Sequence, residues 1–120
     1  MKHFLAVFTG SREASERSGW NALTEQEQQV RTQEGIQAWY SWMQNNAARI
    51  VVPGGPVGVT KRVSPAGIED DRNNLCGYLV IAAESHEAAA RLFEGHPHFS
   101  IFPGDAVEIM ECLPIPGPAA

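Results

Sequence analysis

Leu75-Cys76-Gly77-Tyr78-Leu79-Val80-Ile81-Ala82-Ala83 holds no charged residue and is rich in strand formers. Side chains alternate across a strand, so Tyr78, Val80 and Ala82 oppose Leu79, Ile81 and Ala83, and both sets are apolar. The N-terminal run His3-Phe4-Leu5-Ala6-Val7-Phe8-Thr9 repeats the pattern, with Phe4, Ala6 and Phe8 on one face and Leu5 and Val7 on the other. A sheet with one face in water would alternate apolar with polar residues. These two strands therefore predict a sheet that is covered on both sides.

The surrounding sequence predicts what covers it. Thr9-Gly10-Ser11 ends the first strand in turn chemistry, and a polar loop is expected to Leu23. Thr24-Glu25-Gln26-Glu27 is a capping-box pattern that opens a helix. On it Val30, Ile36, Tyr40, Met43 and Ala47 recur at about the 3.6-residue period, with Trp39 flanking that stripe and Trp42 further to the side. Arg49 to Pro53 reads as a short strand broken into a turn by Pro53-Gly54-Gly55-Pro56, and an extended run from Val57 to Val63 stops at Ser64-Pro65-Ala66-Gly67. Glu69-Asp70-Asp71 is expected in a loop. Ser85 caps a second helix through Glu94, closed by Gly95 and Pro97, and Ala106 to Leu113 is the last strand. The order is that of a ferredoxin-like βαββαβ sandwich with an added β-hairpin arm, an α+β fold. Its two helices pack on one face of the sheet, so a second copy of the chain is the economical cover for the other. The sequence thus predicts a homodimer.

A chain of 120 residues is the size of one domain. Residues 1–113 are expected to form it, with 114–120 as a Pro-rich C-terminal tail. With 43% hydrophobic and 19% charged residues the composition is that of a globular protein. No apolar run approaches the ~20 residues that cross a bilayer, and Phe4 to Phe8 is too short for a signal-peptide core, so a cytoplasmic protein without a membrane partner is expected. The formal charge of −5, with scattered Lys and Arg, argues against a nucleic-acid partner. Cys76 and Cys112 form no CxxC spacing and read as two buried, reduced thiols.

Gly95-His96-Pro97-His98-Phe99, then Pro103-Gly104 and Val107-Glu108-Ile109-Met110-Glu111, together with Ala38-Trp39-Tyr40-Ser41-Trp42 and Gly54-Gly55-Pro56, resemble the YCII-related family, including its DGPF-type proteins. The resemblance covers most of the chain and implies a dimeric α+β barrel with a pocket near the sheet's edge or at the interface. Better-studied members carry an Asp just after the first strand and a His on the first helix. Here Thr9-Gly10-Ser11 stands after the strand and the predicted helix has no histidine, so that pair has no counterpart at these positions.

The candidate site is therefore sought elsewhere. If Pro97 holds its neighbours extended, His96 and His98 point to one side and can meet one ligand or proton, with Phe99 as an apolar boundary; the bland alternative is a pair of loop histidines that cap carbonyls or face water. Two histidines fall short of a zinc site, and no metal or cofactor is expected. Gly54 and Gly55 are either a ligand-approach loop or a plain turn. Asp70 and Asp71 are either general-base candidates or a solvated acidic loop, and Lys61 either meets an anionic substrate or guards an exposed strand edge. Ser100 lacks the partners of a catalytic triad. These residues predict a small-molecule-binding domain or small-molecule enzyme with its pocket near His96 and His98. The alternative is a non-catalytic regulatory or interaction module that uses the dimer as a platform.

Overall fold

The computed structural model describes residues 1–118. Strand β1 (Lys2–Thr9) is followed by a short helix α1 (Arg12–Arg17), the long helix α2 (Glu25–Asn45) and strand β2 (Ile50–Pro56). Strands β3 (Thr60–Ser64) and β4 (Gly67–Asp71) make a separate hairpin. Strand β5 (Leu75–Ala83), helices α3 (His86–Arg91) and α4 (Pro97–Ser100) and strand β6 (Ala106–Glu111) complete the chain. The four-stranded sheet runs β2-β5-β1-β6 with every neighbour antiparallel, which is the ferredoxin-like order, and β3–β4 is the added arm. The last two residues of the predicted tail lie outside the described residues; positions 114–118 form neither helix nor strand.

Alternation in β1 and β5 decides which face meets the helices. Phe4, Ala6 and Phe8 on β1 and Leu79, Ile81 and Ala83 on β5 are buried with Ala89 and Phe93, and Trp39 and Trp42 of α2 pack on them. The Trp42 indole donates to the Leu92 carbonyl at 2.9 Å, tying α2 to the segment after α3. Leu5, Val7, Val80 and Ala82 on the opposite face remain partly exposed, and Tyr78 and Met110 beside them are exposed. Register places Leu5 between Val80 and Met110, and Val7 beside Tyr78, so these side chains form one apolar surface.

Several sequence expectations are corrected. The stretch expected as a loop up to Leu23 contains α1, capped by Ser11, whose hydroxyl accepts from Ala14 N at 3.0 Å. Only Ala14 of α1 is buried, so it has no apolar stripe to detect. The capping box of α2 forms as expected, but the stripe does not face the core: Val30, Ile36 and Tyr40 are exposed, and Gly35, Trp39 and Trp42 turn inward instead. Pro53 to Pro56 does not break β2; Gly55 pairs with Tyr78 and Pro56 with Gly77 through irregular register. Glu69, Asp70 and Asp71 lie in β4 rather than in a loop, because Arg62 pairs with Glu69 and Lys61 with Asp70 across the hairpin. Both cysteines are exposed and free, not buried. They lie at opposite ends of β1: Gly77 pairs with Phe8, and Cys112 N donates to His3 O.

Candidate functional site

The residues after α3 fold tightly. Gly95 adopts φ +68, a left-handed conformation that favours glycine, and reverses the chain. Pro97 then occupies the first turn of α4, where its missing N–H costs nothing. The predicted extended His96-Pro97-His98 segment is therefore helical, and the two imidazoles are not parallel neighbours on one side. His96 is the N-cap, its Nδ1 accepting from His98 N at 3.0 Å. Ser100 donates its hydroxyl to the Gly95 carbonyl at 3.0 Å and takes no other role here.

His96 is fully buried among aromatic rings, with Trp39 at 4.6 Å, Trp42 at 4.8 Å, Phe8 at 5.2 Å and Phe93 at 5.8 Å. Because Nδ1 accepts a hydrogen bond, the neutral ring carries its proton on Nε2, and that atom is sealed without a partner. Trp39 stands perpendicular to the ring, an arrangement in which an N–H can rest on a π-face. Protonating His96 would bury a charge; burial first, and the neighbouring His98 second, push its pKa down to about 4.

His98 is oriented by β1. The Thr9 carbonyl, which can only accept, lies 2.7 Å from His98 Nε2 and also accepts from Asp105 N at 2.8 Å. Nε2 therefore donates, and the lone pair of neutral His98 is on Nδ1. A side chain on Gly104 would strike the Nε2–Cε1 edge and the carbonyl of His98, so glycine there makes room for the ring. Burial lowers the His98 pKa, opposed by its bond to Thr9 and by the Asp105 carboxylate.

His98 forms part of the wall of a cavity of about 580 Å³ between α2 and the β2–β5 edge. From α2 come Ile36, Trp39, Tyr40 and Met43; from the sheet, Phe8, the Pro53–Pro56 bend and the start of β5; Phe102, whose ring packs edge-on against Trp39, also lines it. The α2 stripe that sequence periodicity assigns to the core is thus a cavity wall. Gly54, at φ +60, lies so close to β5 that a side chain would overlap the Tyr78 carbonyl. Gly35 serves Phe102 similarly, since its bare backbone receives that ring. A glycine inside a helix costs about 1 kcal/mol relative to alanine, and this close approach explains its use.

Of the site residues expected from sequence, His98, Gly54 and Gly55 meet in the cavity. His96 sits behind its wall, in contact with Trp39. Phe99 is not among the lining residues, and Phe102 takes the position expected of it. Lys61 is ion-paired with Asp70 on the exposed hairpin, Asp71 is exposed beside them, and none of the three lines the cavity. Sequence reasoning does not mark Tyr40, Tyr78, Cys76 or Phe102 as site residues. The available signal is the width of the apolar surface on α2, which is too broad for one buried face once both tryptophans are counted.

By fold, the chain is similar to a dehydrochlorinase. The solved structure is 5-chloro-2-hydroxyhydroquinone dehydrochlorinase (TftG) from Burkholderia phenoliruptrix AC1100, in complex with 2,5-dihydroxybenzoquinone, matched at TM-score 0.53 and 19% identity over 90% of both chains. At that identity the likeness concerns architecture. No protein-family model matches the chain, and neither does any curated protein sequence.

Proposed function

We propose that this chain binds a small organic molecule in the cavity between α2 and the β2–β5 edge, with His98 as the polar group that orients it, and that it does so as a YCII-related homodimer. The observation that carries the reading is a cavity of about 580 Å³ with an imidazole in its wall. That volume is within the range of small-molecule sites, which are mostly apolar with a few placed polar groups. The 2,5-dihydroxybenzoquinone bound to the structural neighbour supports the reading, since a similar architecture holds a small ring compound. The apolar outer face of β1, β5 and β6 is the surface assigned to the second copy.

Ligand-observed NMR against a library of small ring compounds tests the site. Ile36 is half-exposed on α2 and lines the cavity, so Ile36→Trp should fill it with little cost to folding. Hits should lose at least about tenfold in affinity in that variant, the equivalent of one well-placed contact. Binding that survives Ile36→Trp would move the site elsewhere.

One observation favours a second reading, an interaction module. Val59, Val63 and Ile68 of the arm region are exposed, with Val63 and Ile68 paired across the hairpin, which suits a protein contact.

A further inference from the structure

The cavity contains no Lys, Arg, Asp or Glu among its lining residues. The titratable residues along it are His98, Cys76, Tyr40 and Tyr78, the last with its side chain on the outer face of the sheet. Burial lowers the His98 pKa, and the Cys76 thiol, although that residue is exposed, is shielded from water enough for its pKa to be raised. A carboxylate or ammonium entering here would lose water and find no opposite charge. The walls are also flat: the rings of Phe8, Trp39, Tyr40 and Phe102 line it together with a bend whose Gly54 and Gly55 bring no side chains. Aromatic faces and bare peptide planes suit a planar ring.

The polar contact has a direction. His98 Nε2–H is committed to Thr9 O. His98 Nδ1 has no protein partner among the described residues, yet the sealed and unpartnered side-chain atom there is His96 Nε2. His98 Nδ1 therefore keeps an opening, and the side chain belongs to the cavity wall. What it offers is a lone pair, so the matching ligand group is a donor.

We propose that the cavity selects uncharged, planar ring compounds bearing one O–H or N–H donor, which meets Nδ1 of His98 while the ring lies among the aromatic walls. This rests on the reading of the cavity as a small-molecule site.

A matched series tests it on the full-length chain: p-cresol, 4-methylanisole, p-toluate and 4-methylbenzylamine, titrated near neutral pH by chemical-shift perturbation of the Trp39 indole. p-Cresol should bind about tenfold more tightly than 4-methylanisole, the effect of one hydrogen bond. Both should bind more tightly than the two charged compounds. In His98→Leu the advantage of p-cresol should vanish, the affinities of the two compounds coming within about twofold of each other. Thr9 O keeps its bond from Asp105 N in that variant. Long-range proton–nitrogen correlation on the unaltered protein gives a second readout that does not need the variant to fold. It should find the proton on Nε2 of His98 and a shift of Nδ1 when p-cresol is added.

Equal affinity for p-cresol and 4-methylanisole, or an Nδ1–H tautomer, would overturn the His98 contact and leave the cavity standing. Tighter binding of p-toluate or 4-methylbenzylamine would overturn the ligand class while the site remains. If none of the four perturbs Trp39, the site reading falls and this inference with it.

Discussion

His96 and His98, two positions apart, meet different surroundings, and the difference is measurable. The unfolded chain binds a proton at His96 near its ordinary pKa of 6.5, whereas the folded chain binds it only at about 4. The stability due to neutral, buried His96 is therefore fully present above about 6.5 and is lost as pH falls from there towards 4. His98, also lowered by burial, acts in the same direction. Melting temperature should accordingly fall on acidification through this window. His96→Asn keeps a side-chain acceptor for the cap but has no titrating group. It should cost about 2 kcal/mol or more at neutral pH through lost packing, and its melting temperature should fall less steeply with acid than that of the unaltered chain. Parallel slopes for the two proteins would assign the acid sensitivity to other groups. The residue types were legible in the sequence because histidine next to proline is conspicuous. Their environments were not, because Pro97 is equally at home in an extended segment and in the first turn of a helix.

At the scale of elements, β2 and α2 show how local rules can name a segment and miss its role. Pro-Gly-Gly-Pro is turn chemistry by composition, but pairing with β5 holds it in the sheet's edge strand as an irregular, bent segment. Gly54→Ala would put a side chain into the Tyr78 carbonyl at positive φ, so it should destabilise by at least about 2 kcal/mol in urea unfolding, in line with left-handed strain plus a backbone clash. Gly58→Ala, where a side chain meets nothing within 4 Å, should stay within about 0.5 kcal/mol of the parent. Comparable losses for the two would show that β2 relaxes around Gly54. On α2, the start was legible because Thr24 and Glu27 bond reciprocally at 3.1 and 3.0 Å, a contact four residues long. Its rotation was not. Two tryptophans outweigh a stripe of smaller side chains in buried area, so they took the core and left Ile36, Tyr40 and Met43 to the cavity.

For the whole molecule, the apolar outer face predicts association. Light scattering at micromolar concentration should give twice the 13.1 kDa chain mass. Val80→Asp, on the outward face of β5, should produce monomers or unfolded chain, because a dimer would bury an unpaired carboxylate there. A compact monomer for the unaltered chain at every concentration would remove the second copy from the proposal. Element order, strand pattern and capping residues determined the fold class, since a ferredoxin-like sheet follows from local periodicities and the few ways two helices can cover four strands. The same patterns showed that both faces of β1 and β5 are apolar. Tertiary structure alone decided which side of α2 faces the core, that the arm pairs Lys61 and Arg62 with Asp70 and Glu69, and that His98 rather than His96 reaches the cavity. Those outcomes depend on contacts between residues far apart in the chain, such as Thr9 with His98 and Gly35 with Phe102, and no local spacing encodes a contact of that kind.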